Sequence, residues 1–123
     1  MKLKYAIKFV ADMDRAVAFH RDVLKLALAF QTPEWSEFDT GETRIALHPA
    51  SEGYPPGSVQ LAFASEDLDG FYDARDANAV TFVMPPTELP GRRVARFLDC
   101  ESAEVSVAQI PDRAEERGGN PEP

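Results

Sequence analysis

Cysteine occurs once in this 123-residue chain, at Cys100. An intramolecular disulfide is therefore impossible, and no cysteine-rich zinc site can be assembled. That usage suits a reducing compartment, so a cytoplasmic location is expected. Apolar runs are short: none approaches the roughly 20 residues that span a bilayer, and no membrane partner is expected. The opening Met1-Lys2-Leu3-Lys4-Tyr5 passes straight into patterned sequence without a signal-peptide core. Positive charge is scarce as well. Thirteen Lys and Arg against 21 Asp and Glu leave a formal charge of −8, and no long basic stretch exists to hold phosphates, which argues against nucleic acid as a partner. The acidity keeps the protein soluble and favours a cationic ligand over an anionic one. What remains is ordinary globular usage, 44% hydrophobic and 28% charged. That excludes fibrous and disordered classes and suffices for one packed domain, expected over residues 1–110.

Periodicity divides the chain into two similar halves. Leu3 to Val10 alternates as a strand, with Tyr5, Ile7 and Phe9 on one face. Asp12 then offers an N-cap, Asp14 adds first-turn negative charge, and Ala16, Val17, Phe19, Val23 and Leu24 recur at helical spacing, predicting a helix from about Asp12 to Lys25. Strand-like segments follow at Leu26 to Gln31, Trp35 to Thr40 and Thr43 to His48. A linker rich in Pro and Gly, Pro49 to Gly57, separates these from a second cycle. That cycle has a strand at Ser58 to Ser65, a helix from Asp67 to about Asn78, and strands at Val80 to Val83, Arg92 to Leu98 and Ala103 to Ala108. Asp12-Met13-Asp14 matches Asp67-Leu68-Asp69 at an offset of 55, and Ile45 and Leu47 match Val105 and Val107 at 60. The fold class read from this is α+β, two tandem βαβββ modules (about 3–48 and 58–109) forming a curved mixed sheet around a concave cavity. Pro111 to Pro123, without apolar anchors, is expected to be a flexible acidic tail.

Particular phrases carry a family resemblance. Val10-Ala11-Asp12-Met13-Asp14-Arg15-Ala16-Val17-Ala18-Phe19-His20-Arg21-Asp22-Val23-Leu24 resembles the first-helix phrase of the vicinal-oxygen-chelate superfamily, the glyoxalase and bleomycin-resistance fold. His20 replaces its usual Tyr, and Lys25 stands where it normally has Gly. Leu61 to Asp69 resembles the matching strand-to-helix phrase, while Arg96-Phe97-Leu98-Asp99-Cys100-Glu101-Ser102-Ala103 departs from the usual Phe-x-Asp-Pro-Asp-Gly-Asn. The resemblance covers about residues 3 to 109. It implies the two-module fold and often a homodimer, but it does not choose among lyases, dioxygenases, epimerases and metal-free sequestering proteins.

In metal-using members, two side chains from each module chelate one divalent ion. The resemblance places those positions on Tyr5, Ala46, Gln60 and Ser106. A methyl group and neutral hydroxyls are poor donors, so no metal and no cofactor are expected. Gln60 and His48 are the only weak metal candidates, and His20 is expected to pack or lie at the surface rather than react. Strand alternation puts Tyr5, Ala46, His48, Gln60 and Ser106 on the concave face, and Ile45, Leu47, Leu61, Phe63, Val105 and Val107 against the helices. Trp35, beside Pro33 and Glu34 near a strand start, is expected to border the cavity rather than lie in deep core. Phe38 and Phe97, equivalent under the repeat, fit pocket wall and core equally. Asp39 and Asp99 sit at turns, and Arg92, Arg93 and Arg96 form a solvated strand face. The ligand-binding set is thus Tyr5, Trp35, Phe38, His48, Gln60, Phe97 and Ser106, with no nucleophile–base pair among them. The expected function is binding of a flat or cationic small molecule, as in antibiotic or toxin sequestration. The alternative is a metal-dependent lyase or dioxygenase of glyoxalase type.

Overall fold

A computed structural model of the protein describes residues 1–110. The expected tail, Pro111 to Pro123, lies outside the described residues. Among the described residues two compact units emerge, one formed by Lys4–Leu61 and the other by residues 62–110 together with Met1–Leu3.

In the first unit, Asp12 adopts an extended backbone and its carboxylate accepts the Arg15 N–H at 3.1 Å, starting a helix where the sequence placed one. The order of elements is β1 (Lys2–Val10), α1 (Met13–Ala18), a π-helical turn (Phe19–Val23), β2 (Ala27–Gln31), β3 (Ser36–Asp39) and β4 (Arg44–Pro49). The strands lie in the order β2-β3-β4-β1, with β1 parallel to β4 and the other pairs antiparallel. Val10, Val17, Phe38 and Leu47 form the core between α1 and the sheet, flanked by Met13, Ala16, Leu26, Leu28 and Ile45. The helix is not α-helical throughout, which corrects the expected run to Lys25. From Phe19 it widens by one residue, so that the Leu24 N–H reaches the Phe19 carbonyl at 3.2 Å. Lys25 then turns to φ +60°, the left-handed region that favours glycine, at the position where the resembling phrase has glycine.

The second unit repeats the arrangement with β5 (Val59–Ser65, its first residues belonging to the first unit), α2 (Leu68–Asp73), β6 (Thr81–Leu89), β7 (Arg92–Leu98) and β8 (Glu104–Gln109). The order is β5-β8-β7-β6, with β5 parallel to β8. Asp67 caps α2 through the Gly70 N–H at 2.9 Å. Leu68, Ala95 and Val107 form the core, with Phe63, Phe82 and Phe97 packed on it. Two expected boundaries move. The helix stops at Asp73 rather than near Asn78, because Ala74 to Asn78 has no large apolar residue to bury. β6 continues past the expected end at Val83, through Pro85 and Pro86, to Leu89. It is the outer strand of this unit's sheet, and its register breaks between Phe82 and Met84 and again between Met84 and Thr87. An edge with bulges tolerates residues that lack an N–H.

The class is therefore α+β, built from two βαβββ modules as the sequence indicated. Among the described residues no helix is long and apolar enough to cross a membrane.

Candidate functional site

Register decides which side chains share a face. In the parallel pair β1/β4, Tyr5, Ile7 and Phe9 lie beside Arg44, Ala46 and His48, and Glu37 of β3 lies opposite Ala46. Ile45, Leu47 and Phe38 take the alternate positions and face α1. The first set carries a continuous series of rings. Tyr5 meets Trp35 edge-on at 5.7 Å, and Trp35 meets His48 at 6.2 Å. His48 lies 5.4 Å from Phe9, which stacks on Tyr54 at 4.4 Å. The Gln60 amide donates to the Tyr54 hydroxyl at 2.8 Å, so the glutamine joins the end of the series.

Beside the rings lies a buried carboxylate. Glu37 is fully enclosed; one oxygen accepts the Trp35 indole N–H at 2.7 Å and the other the Arg44 guanidinium at 2.9 Å. Burying a charge is costly unless it is paired and hydrogen-bonded, and here it is both. The hydrogen bond to Glu37, followed by the charges of Glu37, Asp39 and Tyr5, holds the Arg44 pKa above its ordinary value, although burial pulls it the other way. Trp35 is also fixed through its backbone. Its N–H donates to Thr32 Oγ1 at 2.9 Å, and its carbonyl accepts from the Thr32 N–H at 3.0 Å. His48 Nδ1 lies 2.9 Å from the Pro49 carbonyl, which can only accept, so Nδ1 carries the proton and Nε2 is the ring's acceptor.

Of the sequence-predicted set, the first unit brings together Tyr5, Trp35, His48 and Gln60. Trp35 is more deeply buried than expected, at 6% exposure. Phe38 is a correction: it has no exposure and packs with Val10, Val17 and Leu47 on the helix side, because its partner in register is Ile45. Phe97 is corrected for the equivalent reason. It pairs with Val105 and packs on Phe71 at 5.2 Å and Phe82 at 5.7 Å in the second core. Ser106 lies in the second unit, half-buried on β8 between Ala62 of β5 and Arg96 of β7. Leu61, expected against a helix, is 42% exposed. His20 packs as expected, its ring 5.6 Å from Phe38. Asp39 accepts the Gly41 N–H, and Asp99 those of Glu101 and Ala103, so both serve turns. Arg93 and Arg96 are engaged by acidic side chains, Arg93 by Asp69 and Glu88 and Arg96 by Glu104.

Sequence reasoning missed Glu37, Arg44 and Tyr54. The two-residue spacing of Trp35 and Glu37 puts them on one face of a strand and could have revealed the carboxylate. Tyr54 lies in an aperiodic loop and gave no signal.

The four positions that the resemblance assigns to metal ligands do not fit a divalent-ion site. Ala46 has no donor atom, Tyr5 and Ser106 offer only neutral hydroxyls, and among the described residues no group of three or more His, Cys, Asp or Glu side chains is gathered to hold an ion.

Comparison with solved structures shows the same fold. The methylmalonyl-CoA epimerase of Mycobacterium tuberculosis superposes with a TM-score of 0.74 at 18% identity, over 94% of this chain and 91% of that one. The hypothetical protein BH1468 of Bacillus halodurans C-125 gives 0.72 at 20% identity, over 93% and 97%. Streptomyces coelicolor methylmalonyl-CoA epimerase gives 0.71 at 14%, over 91% and 96%. No curated protein matches the chain. The family model described as Glyoxalase/Bleomycin resistance protein/Dioxygenase superfamily matches residues 2–107. Nearly the whole described chain is covered, and the protein belongs to that superfamily.

Proposed function

We propose that the first unit binds a flat or cationic small organic molecule on its aromatic face without the help of a metal ion, sequestering it as a toxin- or antibiotic-binding protein does. The observation that carries this reading is the series Tyr5–Trp35–His48–Phe9–Tyr54 running beside the buried Glu37 carboxylate. Small-molecule sites are mostly apolar and aromatic with a few fixed polar groups. A cation over an aromatic face gains about 0.5–2 kcal/mol, and a formal charge of −8 raises the local concentration of cations. The second reading, a glyoxalase-type lyase or dioxygenase, rests on His48 Nε2 and Gln60 as donors.

Trp35 is the only tryptophan, so its emission reports on the site. Titration with N-methylquinolinium is expected to give saturable quenching and a raised melting temperature, with Tyr5→Ala weakening both and neutral quinoline binding less tightly. Strictly linear quenching with no thermal shift overturns the binding reading. Stoichiometric Ni, Zn, Mn or Fe in the purified protein, lost together with a catalytic activity in His48→Ala or Gln60→Ala, establishes the enzyme instead.

A further inference from the structure

The π-helical turn inverts hydropathy. Phe19 is 49% exposed while its neighbour His20 is 5% exposed. An exposed large apolar residue beside a buried polar one is the arrangement that burial energetics disfavour. The inversion falls at a π-helical turn, and such insertions recur at functional sites. Phe19 and His20 also share a wall of the same cavity, about 290 Å³, which extends over α1 to Gly57.

Two cations line that cavity. Lys8 alternates with Ile7 and Phe9 and so projects from the opposite face of β1 to the aromatic series, and Arg15 lies one turn into α1. Among the described residues neither side chain is in an ion pair. Asp12 also lies on the wall, but its carboxylate is engaged with the Arg15 backbone N–H. Two cations therefore stand against one anion, in a chain that is strongly acidic overall. His20 Nδ1 donates to the Ala16 carbonyl at 2.8 Å, leaving Nε2 as an acceptor. The remaining wall includes Val10, Ala16 and the exposed Phe19 ring.

We propose that this cavity is a second binding site, taking a compact organic monoanion: a carboxylate held by Lys8 and Arg15, with a small apolar body against Phe19. A doubly charged inorganic anion would leave the apolar wall unused. Phe9 borders this cavity as well as the aromatic series, so the two sites adjoin; binding in the cavity rests on Lys8, Arg15 and Phe19 and not on the reading given for the aromatic face.

The test is a titration of the ¹⁵N-labelled full chain with benzoate, followed by amide chemical shifts, with benzamide as the uncharged control. Saturable shifts are expected at Lys8, Arg15, Phe19, His20 and Gly57. Benzamide, and the double variant Lys8→Gln/Arg15→Gln, are each expected to bind roughly tenfold more weakly, since hydrogen bonds to charged groups are the stronger ones. Phe19→Ala is expected to weaken benzoate as well while leaving the remaining spectrum folded, because the ring is half in solvent. Any of four results overturns the proposal: no saturable shift at millimolar benzoate, equal binding of benzamide, unchanged affinity in the charge variant, or shifts centred on Trp35 and His48.

Discussion

Replacing Arg44 with methionine keeps the aliphatic stem and removes the cation that faces Glu37 at 2.9 Å. Glu37 has no exposed side-chain surface, whereas Arg44 retains 37%. Breaking a fully buried pair costs about 3–5 kcal/mol. Water reaches the arginine side of this pair, so the loss scales down to about 2–3 kcal/mol. For a domain of this size that is a fall of roughly 10 °C in melting temperature. Glu37→Gln keeps a carbonyl for one donor and leaves a cation that can turn to solvent, so it costs only about 1 kcal/mol. The double variant therefore loses less than the sum of the two, and the cycle isolates the coupling. Urea unfolding followed by Trp35 emission measures all four proteins. The pH dependence has a definite sign. Arg44, whose pKa is raised, contributes fully below its ordinary value, and in the wild type that contribution is lost only at strongly alkaline pH. An Arg44→Met stability within about 0.5 kcal/mol of wild type, or strict additivity in the cycle, refutes the account of Glu37 as a buried, compensated charge.

Five further substitutions separate core from site and test local geometry. Phe38→Ala is expected to cost about 3–5 kcal/mol in chemical denaturation, since the ring is wholly enclosed; Tyr5→Ala, at a half-buried position, costs visibly less and acts on ligand binding. In Gly70→Ala the new Cβ would run into the Asp67 carboxylate and displace the cap, a loss of about 1 kcal/mol in thermal melts. Gly53→Ala, with open space around it, is expected to be neutral. Lys25→Gly relieves a left-handed backbone at φ +60° and is expected to raise stability by about 0.5–1 kcal/mol, with an unchanged or lowered melting temperature counting against the strain.

Much of the fold was legible because its signals are local. Asp12 and Asp67 are short acceptors placed to take an N–H three residues on, and both cap helices. Ile45, Leu47, Phe63 and Val107 alternate as strand residues do, and all four pack against the helices. Repetition of one module at a nearly constant offset required no tertiary information. Alternation also assigned Tyr5 and His48 to a common face, because side-chain period is a property of the strand itself.

Pairing across strands is not local, and tertiary structure alone decided it. The register of β3 on β4 put Phe38 opposite Ile45 and into the core, and put Glu37 opposite Ala46 on the aromatic face. A shift of one residue would have exchanged them. Tyr54 reached Phe9 only through the path of a loop, and β6 kept its prolines only because it lies at the edge of its unit's sheet. The π-helical turn at Phe19–Val23 likewise left no mark in a hydrophobic pattern that reads as ordinary helix. The sequence by itself determined the module, its caps and its face-to-face alternation, because each is settled within a few residues of chain. Which carboxylate is buried, which rings meet and which cations border a cavity depended on register and loop course, which couple residues that the sequence keeps apart.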